Sequence, residues 1–135
     1  LMLAIECVGY FSNNPGSQNY PFFGLGLFYP RKGNFIAAVG DLRSGRELLR
    51  VKRAVTSTGA IPIHSFRAPA ALAPVDWSDH QPFRKFGFPA VMITDTAFMR
   101  NPHYHSRYDT AAELDYDLMG RVVHALQGVL WDPAA

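Results

Sequence analysis

The stretch that most limits what this chain can become is Phe88–Thr94, Phe-Pro-Ala-Val-Met-Ile-Thr, seven residues without a charge. A strand that is apolar at consecutive positions has no wet face, so it belongs inside a sheet covered on both sides. Gly87 stops a short helical pattern just before it, and a longer pattern follows from about Asp115 to Leu130. There Leu118, Val122, Ala125, Leu126 and Val129 recur at helical spacing and form a buried face, with Asp117, Arg121 and His124 on the wet side.

Three more apolar runs read as strands: Leu1–Val8, Asn34–Val39 and Ile61–Phe66. A helix is predicted from about Ser44 to Thr58, with Leu48, Val51 and Val55 on its apolar face and Gly59 as its stop. Another opens at Ser78. Ser44 with Glu47, Ser78 with Gln81 and Thr110 with Glu113 all have capping-box spacing. Strands alternating with helices predict a layered α/β/α architecture with a largely parallel sheet. The long segment Gly9–Tyr29, rich in turn residues and aromatics, reads as a loop whose aromatics pack it onto the body or line a substrate pocket. Ala68–Trp77 reads as a proline- and alanine-rich loop.

Length and composition bound the rest. The chain has 135 residues, 48% apolar and 18% charged, which suits one domain with a real core. A net charge of +2 argues against nucleic-acid or membrane-surface binding, and no apolar run approaches the ~20 residues of a membrane span. Cys7, the single cysteine, reads as a buried structural thiol. The chain opens with Leu1 already inside a strand-like run, as a piece of a longer polypeptide would.

Chemistry concentrates in Asn101–Thr110, Asn-Pro-His-Tyr-His-Ser-Arg-Tyr-Asp-Thr. Loops at strand ends collect binding and catalytic groups. His103 and His105, two apart, could share a metal ion or be two ordinary surface histidines. Glu6 is the other notable residue. A carboxylate within Leu3-Ala4-Ile5-Glu6-Cys7-Val8 must be paired, ligated, protonated or turned to solvent, because burial of an unpaired charge is costly. The arginines of the predicted first long helix, Arg43, Arg46, Arg50 and Arg53, read as a solvated face.

Ser78-Asp79-His80-x-Pro82-Phe83, Gly87-Phe88-Pro89-Ala90-Val91, Tyr104-His105-Ser106-x-x-Asp109-Thr110 and Leu114-Asp115 occur in that order. Together with Glu6 and Val8-Gly9-Tyr10 they resemble the closing third of a zinc peptidase family. That family contains co-catalytic dizinc aminopeptidases, glutamate carboxypeptidases and glutaminyl cyclases. The resemblance implies a zinc-exopeptidase (phosphorylase/hydrolase-like) fold acting on a peptide or aminoacyl substrate with two zinc ions. It makes His105 a ligand of one zinc and Glu6 of the other, and Tyr104 the phenol that polarises the substrate carbonyl. It makes Asp79 and Asp109 carboxylates that orient ligands. It gives His80 and His103 no ligand position, and these read as structural, as does His64.

The chain departs from that pattern. It has no Glu-Glu pair and no His-x-Asp ahead of Glu6. Two ligands do not hold a co-catalytic pair, so the chain is expected to carry part of a site and to be inactive alone. Two other readings stand beside the peptidase: a non-catalytic binding or assembly domain on the same scaffold, and a glutaminyl cyclase. Cyclases favour tryptophan where this chain has Tyr104, which favours the peptidase. Glu6 and His105 are expected to approach each other at the C-terminal ends of their strands. The Leu1–Val8 strand, lacking lysine and proline, is expected to leave an open sheet edge with Leu3, Ile5 and Phe35 uncovered, and so to favour a homo-oligomer.

Overall fold

The computed structural model describes residues 1–69 and 77–131. Four strands, β1 (Met2–Glu6), β2 (Ile36–Gly40), β3 (Ile63–Arg67) and β4 (Ala90–Thr94), form one sheet in the order β1-β4-β2-β3. β1 pairs parallel with β4, and β2 parallel with β3, while β2 and β4 run antiparallel. The sheet is thus largely parallel with one reversal at its centre. β4 and β2 take the two inner places, and every residue of each is buried. This is where strands without a polar face must go. The predicted Ala68–Trp77 loop falls largely outside the described residues.

Helices α1 (Gly45–Thr58) and α3 (Tyr116–Leu130) pack against each other and cover one face of the sheet. Ile36, Ala38, Ile63, Val91 and Ile93 point into that layer and meet Val51, Val55, Val122 and Val129. The opposite face carries Ala37, Val39, Met92 and Phe66, packed with Phe35. The short helix α2 (His80–Lys85) packs against β4 and β1. The alternation of side chains along each strand therefore separates a face covered by α1 and α3 from the face that carries the second cluster.

The boundaries show what local geometry decides. β1 ends at Glu6 rather than Val8 because Cys7 takes φ 49°, a left-handed conformation that breaks the strand. β4 begins at Ala90, and Phe88, expected inside a buried strand, is 60% exposed. Gly59 at φ 64° ends α1 as its position predicts. The capping boxes do not form. Ser44, Asp79 and Thr110 make no side-chain cap bond, whereas Asp115 accepts from the Leu118 N–H at 2.9 Å and caps α3. Phe35, expected at an uncovered edge, is only 2% exposed, because it sits under the guanidinium of Arg100.

Candidate active site

The C-terminal ends of the parallel strands β1 and β4 lie side by side, with Glu6 opposite Thr94. Glu6 is half-buried, and its Oε1 accepts from Ser78 Oγ at 2.8 Å. Ser78, expected as a helix cap, uses its hydroxyl to hold this carboxylate.

The chain beyond Glu6 is held by a residue that sequence reasoning passed over, Asp95. Its backbone N–H donates to the Cys7 carbonyl at 2.6 Å. Its carboxylate accepts from the N–H groups of Gly9 (3.1 Å), Tyr10 (2.8 Å) and Ala97 (2.9 Å). Burial pushes its pKa upward, while these bonds and the Arg100 charge pull the other way; the net direction is up. Arg100 is buried beside it. Its Nε donates to Gln18 Oε1 at 2.9 Å and its Nη1 to the carbonyls of Phe35 (2.9 Å) and Tyr10 (3.2 Å). Burial lowers the Arg100 pKa to about 10. Gln18 also bonds Thr96 Oγ1 at 2.9 Å, so the network ties the Gly9–Tyr29 loop to the end of β4.

That end leads into the Asn101–Thr110 stretch. Thr96 and Ala97 both take positive φ, 81° and 46°, and send the chain back toward Glu6. Asn101 braces the loop from within: its Nδ2 donates to Asp109 Oδ1 at 3.1 Å and its Oδ1 accepts from the His103 N–H at 2.8 Å. His103 Nδ1 stands 3.6 Å from Glu113 Oε2. Tyr104 and His105 stack with ring centroids 3.9 Å apart and planes within 16°. His105 adopts φ 57° and is exposed.

Glu6, Cys7 and Tyr104 line one cavity; His105 is not among its lining residues, and its ring stacks on that of Tyr104. The Tyr104 phenol is pushed above its ordinary pKa by burial first, then by Cys7, Glu6, Asp109 and Asp95. Cys7, expected to be a buried thiol, is exposed because the left-handed turn carries it out of the strand; partial burial, then the charges of Asp95, Glu6 and Asp109, raise its pKa to about 11. The phenol and the thiol are thus protonated at neutral pH, in a mouth dominated by carboxylates. Asp109 belongs to that mouth through its field and its bond to Asn101. Asp79 is exposed at the N-cap position of α2.

The profile of peptidase family M28 matches residues 42–130 of this chain. The chain belongs to that family. It is 40% identical over 132 residues to an uncharacterised Escherichia coli protein, YfbL, and covers 98% of itself and 41% of that protein. A 43-residue portion, 31% of this chain, is 51% identical to 12% of a probable leucine aminopeptidase of Arthroderma benhamiae. In structure it resembles the Legionella pneumophila aminopeptidase LapA, with a TM-score of 0.61 at 15% identity over 94% of this chain and 29% of LapA. LapB of the same organism matches similarly, with a TM-score of 0.61 at 14% identity over 96% of this chain and 30% of LapB. These two likenesses speak to fold. The M28 segment spans less than half the length of the relatives it matches.

Family M28 is generally zinc-dependent. Among the described residues no three His, Cys, Asp or Glu side chains are grouped to hold a metal ion. Zinc takes four donors in structural sites and three protein donors in catalytic ones. Glu6 and His105 supply two at most. The donor set of this segment does not fit a complete zinc centre.

Proposed function

We propose that this segment contributes one wall of the active site of an aminopeptidase-type exopeptidase, whose other groups come from outside these 135 residues. The observation that carries this is the convergence of the Tyr104 phenol and the Glu6 carboxylate on one cavity at the C-terminal end of two parallel strands. A phenol kept protonated can donate to a carbonyl oxygen and to the negative charge that grows there during hydrolysis. The half-buried Glu6 carboxylate, fixed by Ser78, supplies negative charge for a substrate amine or a metal ion. Zinc is the metal the family implies, and His105 and Glu6 are the donors this segment offers to it.

The second reading, a binding or assembly domain without catalysis, rests on the lack of a third donor beside Glu6 and His105 among the described residues. Hydrolysis of aminoacyl amides separates the two. The protein that carries this segment is expected to release amine in a chelator-sensitive way. Tyr104→Phe should lower kcat by about 10²–10³-fold, as loss of one oxyanion donor does, and His105→Ala should abolish metal-dependent turnover. The 135 residues alone are expected to bind zinc weakly and turn over nothing. Turnover by the isolated segment, lost on chelation and in His105→Ala, would show that the site is complete within it. A full protein inert toward every aminoacyl amide would favour the binding domain.

A further inference from the structure

Glu6, Thr94, Ala37 and His64 occupy one register row that crosses all four strands. Residues in register share a face, and this is the face turned away from α1 and α3. All four line the cavity that Tyr104 enters. The next row, Met92, Val39 and Phe66, lines it too and is apolar. Strands lie about 4.8 Å apart, so three spacings put the His64 backbone roughly 14 Å from that of Glu6. The site is therefore a trough, with a carboxylate and a phenol at one end, an imidazole at the other, and only the small Ala37 on the floor in front of that imidazole.

The far end is built with care. Tyr29 arches over it, anchored by donating its hydroxyl to the Ser65 carbonyl at 3.1 Å. His64 meets Phe35 edge-on at 4.9 Å and Tyr29 at 6.2 Å, which fixes its ring without using its nitrogens. Among the described residues none hydrogen-bonds those nitrogens. Burial first, and Lys52 second, lower the His64 pKa, so at neutral pH the ring carries one N–H donor and one acceptor. A half-buried polar group with unmet capacity in an aromatic cleft is what a site offers to a ligand's one polar atom.

Resting on the peptidase reading above, we propose that His64 is a specificity-determining residue. The trough takes an aromatic side chain bearing a hydrogen-bonding atom at its tip, a tyrosine phenol in the first instance. The amino-acid backbone then lies at the Glu6 and Tyr104 end, and the ring passes over Ala37. A leucine side chain stops short of the imidazole. A phenylalanine fills the same space but leaves the imidazole unmet, a loss that sites built to bond a hydroxyl impose on analogues lacking it.

The test is binding of L-tyrosinamide against L-phenylalaninamide, which differ by one hydroxyl, to the 135-residue chain, followed through the His64 ring resonances by NMR. Tyrosinamide is expected to bind about 3–10-fold tighter, the worth of one net hydrogen bond, and to shift the His64 ring. His64→Phe should erase the preference and keep phenylalaninamide binding. His64→Gln, which retains a donor and an acceptor, should keep most of it. Equal affinities, binding of neither amide, or a preference that survives His64→Phe overturns the proposal. Chelator-sensitive hydrolysis by the longer protein without tyrosine preference would sink the role of His64 and leave the peptidase standing. A His64-dependent preference in a protein that hydrolyses nothing would do the reverse.

Discussion

Asp95 joins the two chemistry-bearing segments through a single carboxylate. Three backbone N–H groups, from Gly9, Tyr10 and Ala97, converge on it, and it is 2% exposed. Asp95→Ala is expected to cost at least about 3 kcal/mol, since it strands buried donors rather than removing a surface bond. Asp95→Asn keeps one acceptor oxygen and should cost less. Urea unfolding gives the totals, and faster amide exchange confined to Gly9, Tyr10 and Ala97 would locate the damage. Equal stability of Asp95→Ala and the parent chain would show the clamp to be idle. The signal for this residue was present in the sequence. Thr94-Asp95-Thr96 follows an apolar strand, and the reasoning that picked out Glu6, that a carboxylate beside a buried run needs a partner, applies to Asp95 with equal force. Its partners are peptide groups, which carry no sequence signature, so the role emerges only from the fold. Ser78 is the converse case: its position was legible and its spacing suggested a cap, but the hydroxyl bonds Glu6, 72 residues away.

The elements themselves were legible because each follows from local pattern: unbroken apolar runs for β2 and β4, helical spacing for α1 and α3, glycine at the end of α1. How the ends are tied was not. Ser44 sits at φ −82°, ψ 16°, outside the extended region from which a cap hydroxyl reaches back, so the Ser44–Glu47 box cannot close. Asp41 does the work instead. Its Oδ1 accepts from the N–H groups of Arg43 and Ser44 at 3.0 Å each and from Ser44 Oγ at 2.7 Å. Its Oδ2 lies 3.5 Å from Arg84 Nε, linking the start of α1 to α2. Burial alone would raise the Asp41 pKa, but the Ser44 hydroxyl, Arg84 and the two peptide donors outweigh it and hold it below the ordinary value. A depressed carboxylate adds stability above its unfolded pKa, near 3.9, and loses it as pH falls through the folded value. Asp41→Asn should therefore be less stable by about 1–2 kcal/mol at pH 6. The difference should shrink steadily in thermal melts taken down through pH 4 and below. A difference that stays constant with pH would mean that the charge of Asp41 plays no part.

For the molecule as a whole, the sheet order has a consequence that pattern alone could not settle. Helical crossovers suggested parallel neighbours, yet β2 enters the sheet antiparallel to β4, and β1 is left on an edge. Met2 donates its N–H to the Pro89 carbonyl on the β4 side, so by alternation the peptide groups of Leu3 and Ile5 face outward, and no described residue bonds them. The aromatic loop does not cover this edge, because Tyr29 anchors it at β3, on the opposite side of the sheet. Ile5 is 54% exposed and Leu1 49%, whereas Leu3 turns inward onto the helix layer. An edge strand with outward peptide groups, apolar side chains and no guarding lysine or proline pairs readily with another strand. A second copy of the chain is the simplest partner, since two β1 strands related by a two-fold axis pair antiparallel and satisfy both edges at once. The 135-residue chain is accordingly expected to sediment as a dimer at micromolar concentration. Ile5→Lys places a charge on the edge without touching the buried face, and should return a monomer of unchanged thermal stability. A parent chain that sediments as a monomer at every concentration, with no binding of dyes that report exposed apolar surface, would show that the β1 edge is closed. A dimer indifferent to Ile5→Lys would place the interface elsewhere, with the exposed Phe86 and Phe88 beside α2 the next surface to alter.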